Sequence, residues 1–290
     1  MKSIILGLNM ESSYKNQLNQ RKMKLKKRAR KIASKYYHML KKLTYSDNDV
    51  FLIYSMGKVG SSSIYTSLKN QKRYSDIYHV HFLSNNWLDK ILPELHESFH
   101  SNIKLGYDIL NFIEKHPQKK LRIITLVREP VMRGISDLFQ NWRHLYDDIE
   151  EIDNTKLKER VENIKHDYTL NWFDTEFLEY LNVDIYSLPF DKEKGYAIYD
   201  YDRFDILLIK LEALNEIGAS AMAKFLAEEF KLSKANTSAL KKTNEKYNFL
   251  KKNVKMDDTK LTNLYASKYV QHFYSENEIE GFKKTWSKKN

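Results

Sequence analysis

Residues Val50 to Leu68 read VFLIYSMGKVGSSSIYTSL and contain the pattern that decides the fold. The opening apolar run predicts a buried strand, residues 57–60 predict a turn, and Ser61–Ser63 open a helical pattern. Such a unit brings backbone N–H groups and the positive end of a helix dipole to one point, where Lys58 adds a full charge. The segment therefore predicts an anion-binding loop, and an ordinary turn of an α/β domain is the alternative.

The loop differs from the common nucleotide-binding loops. A Walker A loop has its lysine directly before the Ser/Thr that holds magnesium. Here Lys58 precedes Gly60, the serines follow Gly60, and no GxGxxG fingerprint is present. The residues therefore predict a phosphate- or sulfate-binding loop without a magnesium ligand of its own.

Composition limits the classes of protein that this chain can belong to. Its 290 residues suit one α/β domain with an appendage. The absence of cysteine excludes disulfides, thiolate zinc sites and thiol nucleophiles. No apolar run reaches the roughly 18 residues of a membrane span, and the opening MKSIILGL is too short for a signal peptide. We therefore expect a cytoplasmic protein.

The net charge of +11 is concentrated in the first 46 residues. That extension holds 13 of the 49 Lys/Arg and 1 of the 38 acids (+12), which leaves 36 basic and 37 acidic residues (−1) for 47–290. We therefore expect two parts, the extension 1–46 and the domain 47–290, and no nucleic-acid partner. Apolar residues from Leu25 to Leu43 recur at helical spacing, which predicts a basic amphipathic helix. Either it lies on an anionic surface, such as the inner face of the membrane, or it packs on protein.

From Val50 onward, predicted strands and helices alternate, which favours an α/β fold: one P-loop-like, three-layer domain with a mostly parallel sheet flanked by helices. We expect strands at Val50–Ser55, Ile77–Phe82, Leu121–Val127 and Ile206–Leu211. We expect helices at Ser61–Asn70, Gly106–Lys115, Pro130–Tyr146, Thr155–Asn182 and Leu214–Phe230. The segment Val183–Asp202 predicts a hairpin, and Leu261–Trp286 is helical with a capping box at Ser275 and Glu278.

A second strand-to-helix turn lies in RIITLVREPVMRGISDLFQN, residues 122–141. Arg128 follows the strand at the carboxyl edge, where ligands bind in open α/β sheets, and Pro130 suits a first helical position. Ser136 lies about two turns into that helix. Arg128 is either a structural ion-pair residue or, together with the first loop, part of a site for a ligand with two anionic groups.

The pair of motifs resembles a known family. GKVGSSSIYTSL resembles the 5′-phosphosulfate loop of sulfotransferases that use 3′-phosphoadenosine 5′-phosphosulfate (PAPS), and VREPVMRGISDLF resembles their 3′-phosphate motif. KVGSSS and VREP are most similar to the carbohydrate branch. NWFDTEF from Asn171 and YSLPFDKEKGY from Tyr186 resemble bacterial proteins grouped as capsular polysaccharide synthesis proteins. The resemblance covers roughly Val50 to Trp286.

The resemblance implies PAPS as cofactor, adenosine 3′,5′-bisphosphate as its product, and no metal. Lys58 would offset the charge on the oxygen that bridges phosphate and sulfonate. Arg128 and Ser136 would hold the 3′-phosphate, and Lys242 belongs to a stretch that related enzymes fold over the nucleotide. The 5′-phosphosulfate would be held by Val59, Gly60, Ser61, Ser62 and Ser63.

A general base must take the proton of the acceptor hydroxyl. His79 and His81 lie on one side of a predicted strand, and an ordinary histidine pKa suits a base at neutral pH. His81 aligns with the second histidine of an HxH segment in uronyl 2-O-sulfotransferases, and we rank it first. His79, Asp174 and Glu176 are alternatives, and a buried histidine pair without catalytic role is the structural interpretation.

The sequence gives fewer indications of how the acceptor is recognised. His79, Trp172, Asp174 and Glu176 are candidate substrate contacts, although aromatic residues at helical spacing also suit a core. The leading hypothesis is a PAPS-dependent enzyme acting on a glycan or lipid-linked saccharide of a bacterial capsule or surface. The alternatives are a phosphotransferase with a P-loop-type nucleotide site and a non-catalytic glycan-assembly protein. The oligomeric state and the acceptor sugar stay open.

Overall fold

A computed structural model of the chain describes residues 49–91, 100–145, 152–233 and 244–288. Its centre is a five-stranded sheet with the order β2-β1-β3-β5-β4. The strands are β1 (Asp49–Tyr54), β2 (Ile77–Val80), β3 (Lys120–Val127), β4 (Tyr196–Asp200) and β5 (Phe204–Lys210). All neighbouring pairs are parallel except β4 with β5, which is antiparallel. The predicted α/β fold with a mostly parallel sheet is confirmed.

The strands form where apolar residues run without interruption. In β1, every residue from Val50 to Tyr54 is fully buried, and β3 and β5 are buried almost throughout. Continuous apolar runs are typical of parallel strands covered on both faces. The four predicted strands are confirmed to within two residues, and β2 ends at Val80, so that His81 lies just beyond it.

The helices cover the sheet and carry the C-terminal part of the chain. Before β4 they are α1 (Ser61–Gln71), α2 (Asn85–Ile91), α3 (His100–Lys115), α4 (Pro130–Leu145), α5 (Asn154–Glu162), α6 (Asp167–Trp172) and α7 (Leu178–Leu181). A π-helical turn, Phe173–Phe177, joins α6 to α7, and a 3₁₀ turn lies at Ile185–Ser187. After β5 come a 3₁₀ turn at Leu211–Ala213 and then α8 (Leu214–Leu226), α9 (Asn244–Asn253), α10 (Asp258–Tyr265), α11 (Lys268–Phe273) and α12 (Glu276–Trp286).

Four expectations about elements are wrong, and the first concerns the helix expected to begin at Gly106, which begins at His100. The single helix expected over Thr155–Asn182 is interrupted after Glu162, where the N–H of Ile164 bonds to the carbonyl of Val161 and ends the helix. Neither glycine nor proline marks this break, so the periodicity does not show it. The segment Val183–Asp202 forms no hairpin of its own, because its strand β4 pairs with β5. The helix expected to end at Phe230 ends at Leu226.

The order of the strands places the site. The chain leaves β1 toward β2 on one side and later reaches β3 on the other side of β1. Because parallel crossovers are right-handed, α1 and α3 lie on opposite faces, and a crevice opens between the carboxyl ends of β1 and β3. Residues 55–60 follow β1, and Arg128 follows β3. Both predicted anion-binding turns therefore meet at the point where ligands bind in such sheets.

The C-terminal helices are attached to β5 through a buried lysine. Nζ of Lys210, whose side chain is 4% exposed, lies 2.7 Å from Glu278 and 2.7 Å from the carbonyl of Lys192. Glu278 also accepts the backbone N–H of Ser275 at 2.9 Å, so the predicted capping box of α12 is confirmed. One carboxylate thus caps a helix and neutralises the buried Lys210 of β5.

The predicted N-terminal extension and its amphipathic helix lie outside the described residues, as does Lys242. Within the described ranges, no helix has the length and apolar character that a membrane span requires.

Candidate active site

The backbone of the first turn has the geometry of an anion-binding loop. Gly60 is the N-cap of α1 with φ +83°, and it leaves the first N–H groups of the helix without a side-chain cap. The positive φ favours glycine, and a Cβ here would lie 2.5 Å from Cδ1 of Leu211, whose side chain would have to shift. The N-terminal end of an 11-residue helix is thereby left open to a ligand.

Lys58 lies at the tip of this turn. Its backbone is left-handed, with φ +72°, and its side chain is half-buried. Within the described part of the chain, Nζ has no hydrogen bond or ion pair. Burial lowers the pKa of Lys58 to about 8, with Arg133 and Arg128 lowering it further and Asp137 opposing them. The ammonium group is therefore charged at neutral pH and, among the described residues, forms no direct ion pair.

Arg128 joins the two turns. Its Nη1 donates a hydrogen bond to the carbonyl of Lys58 at 2.9 Å. Arg133, on the first turn of α4 and 7% exposed, donates from Nε to the carbonyl of Gly57 at 3.1 Å. Two arginines therefore bond to the backbone of residues 57–58, and Lys58 itself adds a third cation. Asp137 is the acid that pairs with Arg133, at 3.4 Å. This excess of positive charge suits a ligand with more than one negative group.

Three tyrosines of the C-terminal helices hold the turn that carries Arg128. The hydroxyl of Tyr265 donates to Glu129 at 2.7 Å, and that of Tyr274 donates to Glu212 at 3.1 Å. Glu212 in turn accepts the N–H of Glu129 at 2.8 Å. Burial raises the pKa of Glu129 to about 7. Tyr269 bonds directly to the backbone of Arg128. Glu212 thus has a structural role, because it joins Tyr274 to the backbone of Glu129.

The histidine pair lies beside the first turn. The rings of His79 and His81 are 5.0 Å apart, and Nε2 of His79 lies 2.8 Å from Oγ of Ser61. Nδ1 of His81 lies 2.6 Å from the carbonyl of Ser55. A carbonyl only accepts, so Nδ1 carries the proton and Nε2 keeps its lone pair. Burial lowers the pKa of His81, and it lowers that of His79 to about 4. Both rings are neutral at pH 7.

The two carboxylate alternatives, Glu176 and Asp174, already have partners in the protein. Glu176 is fully buried, and its Oε2 accepts from the hydroxyl of Tyr54 at 2.6 Å and from the N–H groups of Leu83 and Ser84. Asp174 forms an ion pair with Lys268 at 2.6 Å. Trp172 is fully buried and donates its indole N–H to the carbonyl of His81 at 3.2 Å. The expectation that Trp172 and Glu176 contact a sugar is therefore wrong, because neither side chain is accessible.

The remaining predicted residues lie around the same crevice. Ser62 is exposed and Ser63 half-buried on the first turn of α1, while Val59 and Ser61 are buried. Ser136 lies half-buried on α4, three residues after Arg133 and so on the same side of the helix.

Sequence reasoning missed several members of the site. Arg133 lies in the quoted VREPVMRG segment, and its spacing of three from Ser136 was an available signal. The ring of Tyr168 lies under Arg133 at 4.6 Å, and Tyr269 is 141 residues from its partner Arg128. No local pattern indicates either tyrosine.

Comparison with known proteins gives one family. Residues 148–275 match the family described as "Putative capsular polysaccharide synthesis protein". The resemblance inferred from NWFDTEF and YSLPFDKEKGY is thus confirmed. The match to this capsular polysaccharide synthesis family includes α6, β5 and Tyr269 and excludes Lys58, His81 and Arg128. No curated protein matches the chain.

One solved structure shows a weak structural similarity to this chain. The sulfotransferase from Alicyclobacillus acidocaldarius aligns with a TM-score of 0.33 and 12% identity, over 80% of this chain and 98% of that protein. At this TM-score the likeness carries no argument about the present chain.

Proposed function

We propose that this protein transfers the sulfonate group of PAPS to a hydroxyl of a glycan in the synthesis of a capsular or surface polysaccharide. The observation that carries the proposal is the hydrogen bond from Arg128 to the carbonyl of Lys58, which makes one site of two anion-binding turns. A donor with phosphate at both its 3′ and 5′ positions requires two such turns. The match of residues 148–275 to the capsular polysaccharide synthesis family supports a glycan as acceptor.

The residues present fit this donor. The open N-terminus of α1 and the unpaired Nζ of Lys58 suit the 5′-phosphosulfate, with Ser62 and Ser63 beside them. Arg128 and Ser136 suit the 3′-phosphate. When bound, PAPS supplies an activated sulfonate whose leaving group is a phosphate oxygen.

The chain's own groups then have separate tasks. Lys58, charged at neutral pH, stabilises the negative charge that develops on the leaving oxygen. His81 accepts the proton of the acceptor hydroxyl at Nε2, while its Nδ1–H remains bonded to Ser55. The sulfur–oxygen bond to the donor breaks as the bond to the acceptor oxygen forms, and the proton ends on His81. His79 stays neutral and orients the first turn of α1 through Ser61.

Binding of nucleotides tests the proposal. Adenosine 3′,5′-bisphosphate is expected to raise the melting temperature of the protein without magnesium. ATP with magnesium is the comparison, because a phosphotransferase would prefer it. Stabilisation by ATP with magnesium alone would refute the sulfotransferase assignment.

A further inference from the structure

A cavity of about 870 Å³ lies outside the site described above. Its wall begins at Leu83 and Ser84, directly after the segment that carries the histidines, and continues along α2, α3 and α7 to Arg203. This volume is within the range of small-molecule sites. We infer that the cavity, which we call the α3–α7 groove, binds an uncharged saccharide chain as the acceptor. The inference rests on the proposed function for the identity of its ligand.

The lining is chemically suited to sugar hydroxyls. Asn85, Asn86 and Asn111 present amides, Glu114 a carboxylate and Arg203 a guanidinium group to the groove. Within the described ranges, none of these five side chains has a hydrogen-bond partner in the protein. Amides both donate and accept, as hydroxyl groups require. The groove therefore offers unused hydrogen-bonding capacity from several directions at once.

Aromatic surface is available beside these amides. Tyr107 is 39% exposed, and its hydroxyl is held by Asp89 at 2.6 Å, which fixes the ring at the wall. Tyr107, Asn111 and Glu114 follow each other at spacings of four and three on α3, so they line one side of the helix. Tyr180 faces them from α7. An aromatic face next to amides offers apolar packing to a sugar ring and hydrogen bonds to its hydroxyls.

The shape and charge of the groove narrow the class of ligand. Ser84 lies at the carboxyl edge of the sheet, whereas Arg203 immediately precedes β5 at the opposite edge. The lining thus extends along a strand, or roughly 20 Å, which suits several linked sugars better than one. Glu114 and Glu179 outnumber Arg203, so the lining does not favour an acidic polymer.

The groove also begins close to the candidate base along the chain. Ser84 is three positions after His81, so their Cα atoms are at most about 11 Å apart. Glu176 fixes this connection, because it accepts the N–H groups of both Leu83 and Ser84 at 2.8 and 3.1 Å. The wall of the groove therefore starts a short distance along the backbone from the candidate base.

Glycan binding without nucleotide tests the inference separately from the donor. We would measure binding of chitotetraose, maltotetraose and tetragalacturonate by saturation-transfer NMR and calorimetry. At least one neutral tetrasaccharide is expected to bind more tightly than tetragalacturonate. Tyr107→Ala and Asn111→Ala are each expected to weaken that binding about five- to tenfold. Asp108→Ala, exposed on the same helix but outside the lining, is the matched control and is expected to change nothing.

The outcomes separate the two proposals. Three results would overturn the proposal that the α3–α7 groove binds a neutral saccharide: no neutral probe binds, tetragalacturonate binds more tightly, or both groove variants bind as wild type does. If adenosine 3′,5′-bisphosphate still stabilises the protein in that case, the proposed donor stands. A different result would separate the proposals the other way. If a neutral glycan binds through Tyr107 and Asn111 but no nucleotide binds, the saccharide site is supported and PAPS as donor is refuted. Thermal unfolding of each variant excludes misfolding as the cause of a loss.

Discussion

The hydroxyl of Tyr269 bonds twice to the backbone of Arg128, accepting from its N–H at 3.0 Å and donating to its carbonyl at 2.9 Å. Tyr269 is fully buried on α11, so a C-terminal helix fixes the backbone of the residue that we assign to the 3′-phosphate. The C-terminal helices therefore position the backbone of the proposed donor site.

Tyr269→Phe is expected to weaken binding of adenosine 3′,5′-bisphosphate severalfold and to lower stability by about 1 kcal/mol, because two hydrogen bonds are lost. Calorimetry and thermal unfolding measure the two effects. Tyr186→Phe is the control, since its hydroxyl makes one long bond of 3.4 Å to Leu170. Equal nucleotide affinity in both variants would show that Tyr269 does not position Arg128.

Lys58→Met is expected to abolish nucleotide binding and to leave the free energy of unfolding at pH 7 unchanged or higher. The folded-state pKa of Lys58 is lowered from 10.5 to about 8, so between these values the unfolded chain binds more protons. The contribution of Lys58 to stability therefore rises with pH across that window. Subtracting the unfolding curves of the variant from those of wild type, from pH 7 to 10.5, should show this rise. A flat difference would contradict the burial of the ammonium group.

His81→Ala is expected to retain nucleotide binding and to lose transfer of labelled sulfonate from PAPS to extracted surface glycans. Because burial lowers the pKa of His81, the wild-type rate should fall only at a pH below 6.5. His79→Ala is the comparison, and it should reduce transfer less. The assignment of the base moves to His79 or Asp174 if His81→Ala turns over normally.

Glu176→Gln tests the carboxylate alternative. The amide oxygen can keep the three hydrogen bonds that Oε2 accepts, and the amide nitrogen takes the place of Oε1, which has no partner. Burial raises the pKa of Glu176 to about 7, so its contribution to stability is full below pH 4.5 and is lost as the pH rises through 7. The variant should be more stable than wild type at pH 8 and keep its transfer activity. Loss of transfer in a stable variant would restore Glu176 as a base.

Gly60→Ala should destabilise the protein by about 1–3 kcal/mol and weaken nucleotide binding, because the residue has positive φ and no space for Cβ. Gly281→Ala is the matched control, since no atom lies within 4 Å of a Cβ there. On a helix interior, that exchange should stabilise by about 0.5–1 kcal/mol. Denaturant unfolding compares the two variants. Similar effects of both would contradict the left-handed turn.

Local sequence patterns alone predicted the main strands of the sheet and the positions of the two anion-binding turns. The apolar runs of β1, β3 and β5 predicted a buried parallel sheet, because strands covered on both faces need apolar side chains throughout. The glycine-containing turn with Lys58, and Arg128 after the next long strand, predicted two anion-binding turns, because strand ends and helix N-termini carry those groups.

Only the tertiary structure decided how these parts meet. Two hydrogen bonds connect residues far apart in the chain, from Arg128 to Lys58 and from Tyr269 to Arg128. The burial of Trp172 and Glu176 also depends on residues distant in sequence. The break after Glu162 and the pairing of β4 with β5 likewise depend on packing rather than on local propensity. Sequence periodicity shows which face of an element is apolar. The element that covers this face depends on the strand order, in which β2 and β3 lie on opposite sides of β1.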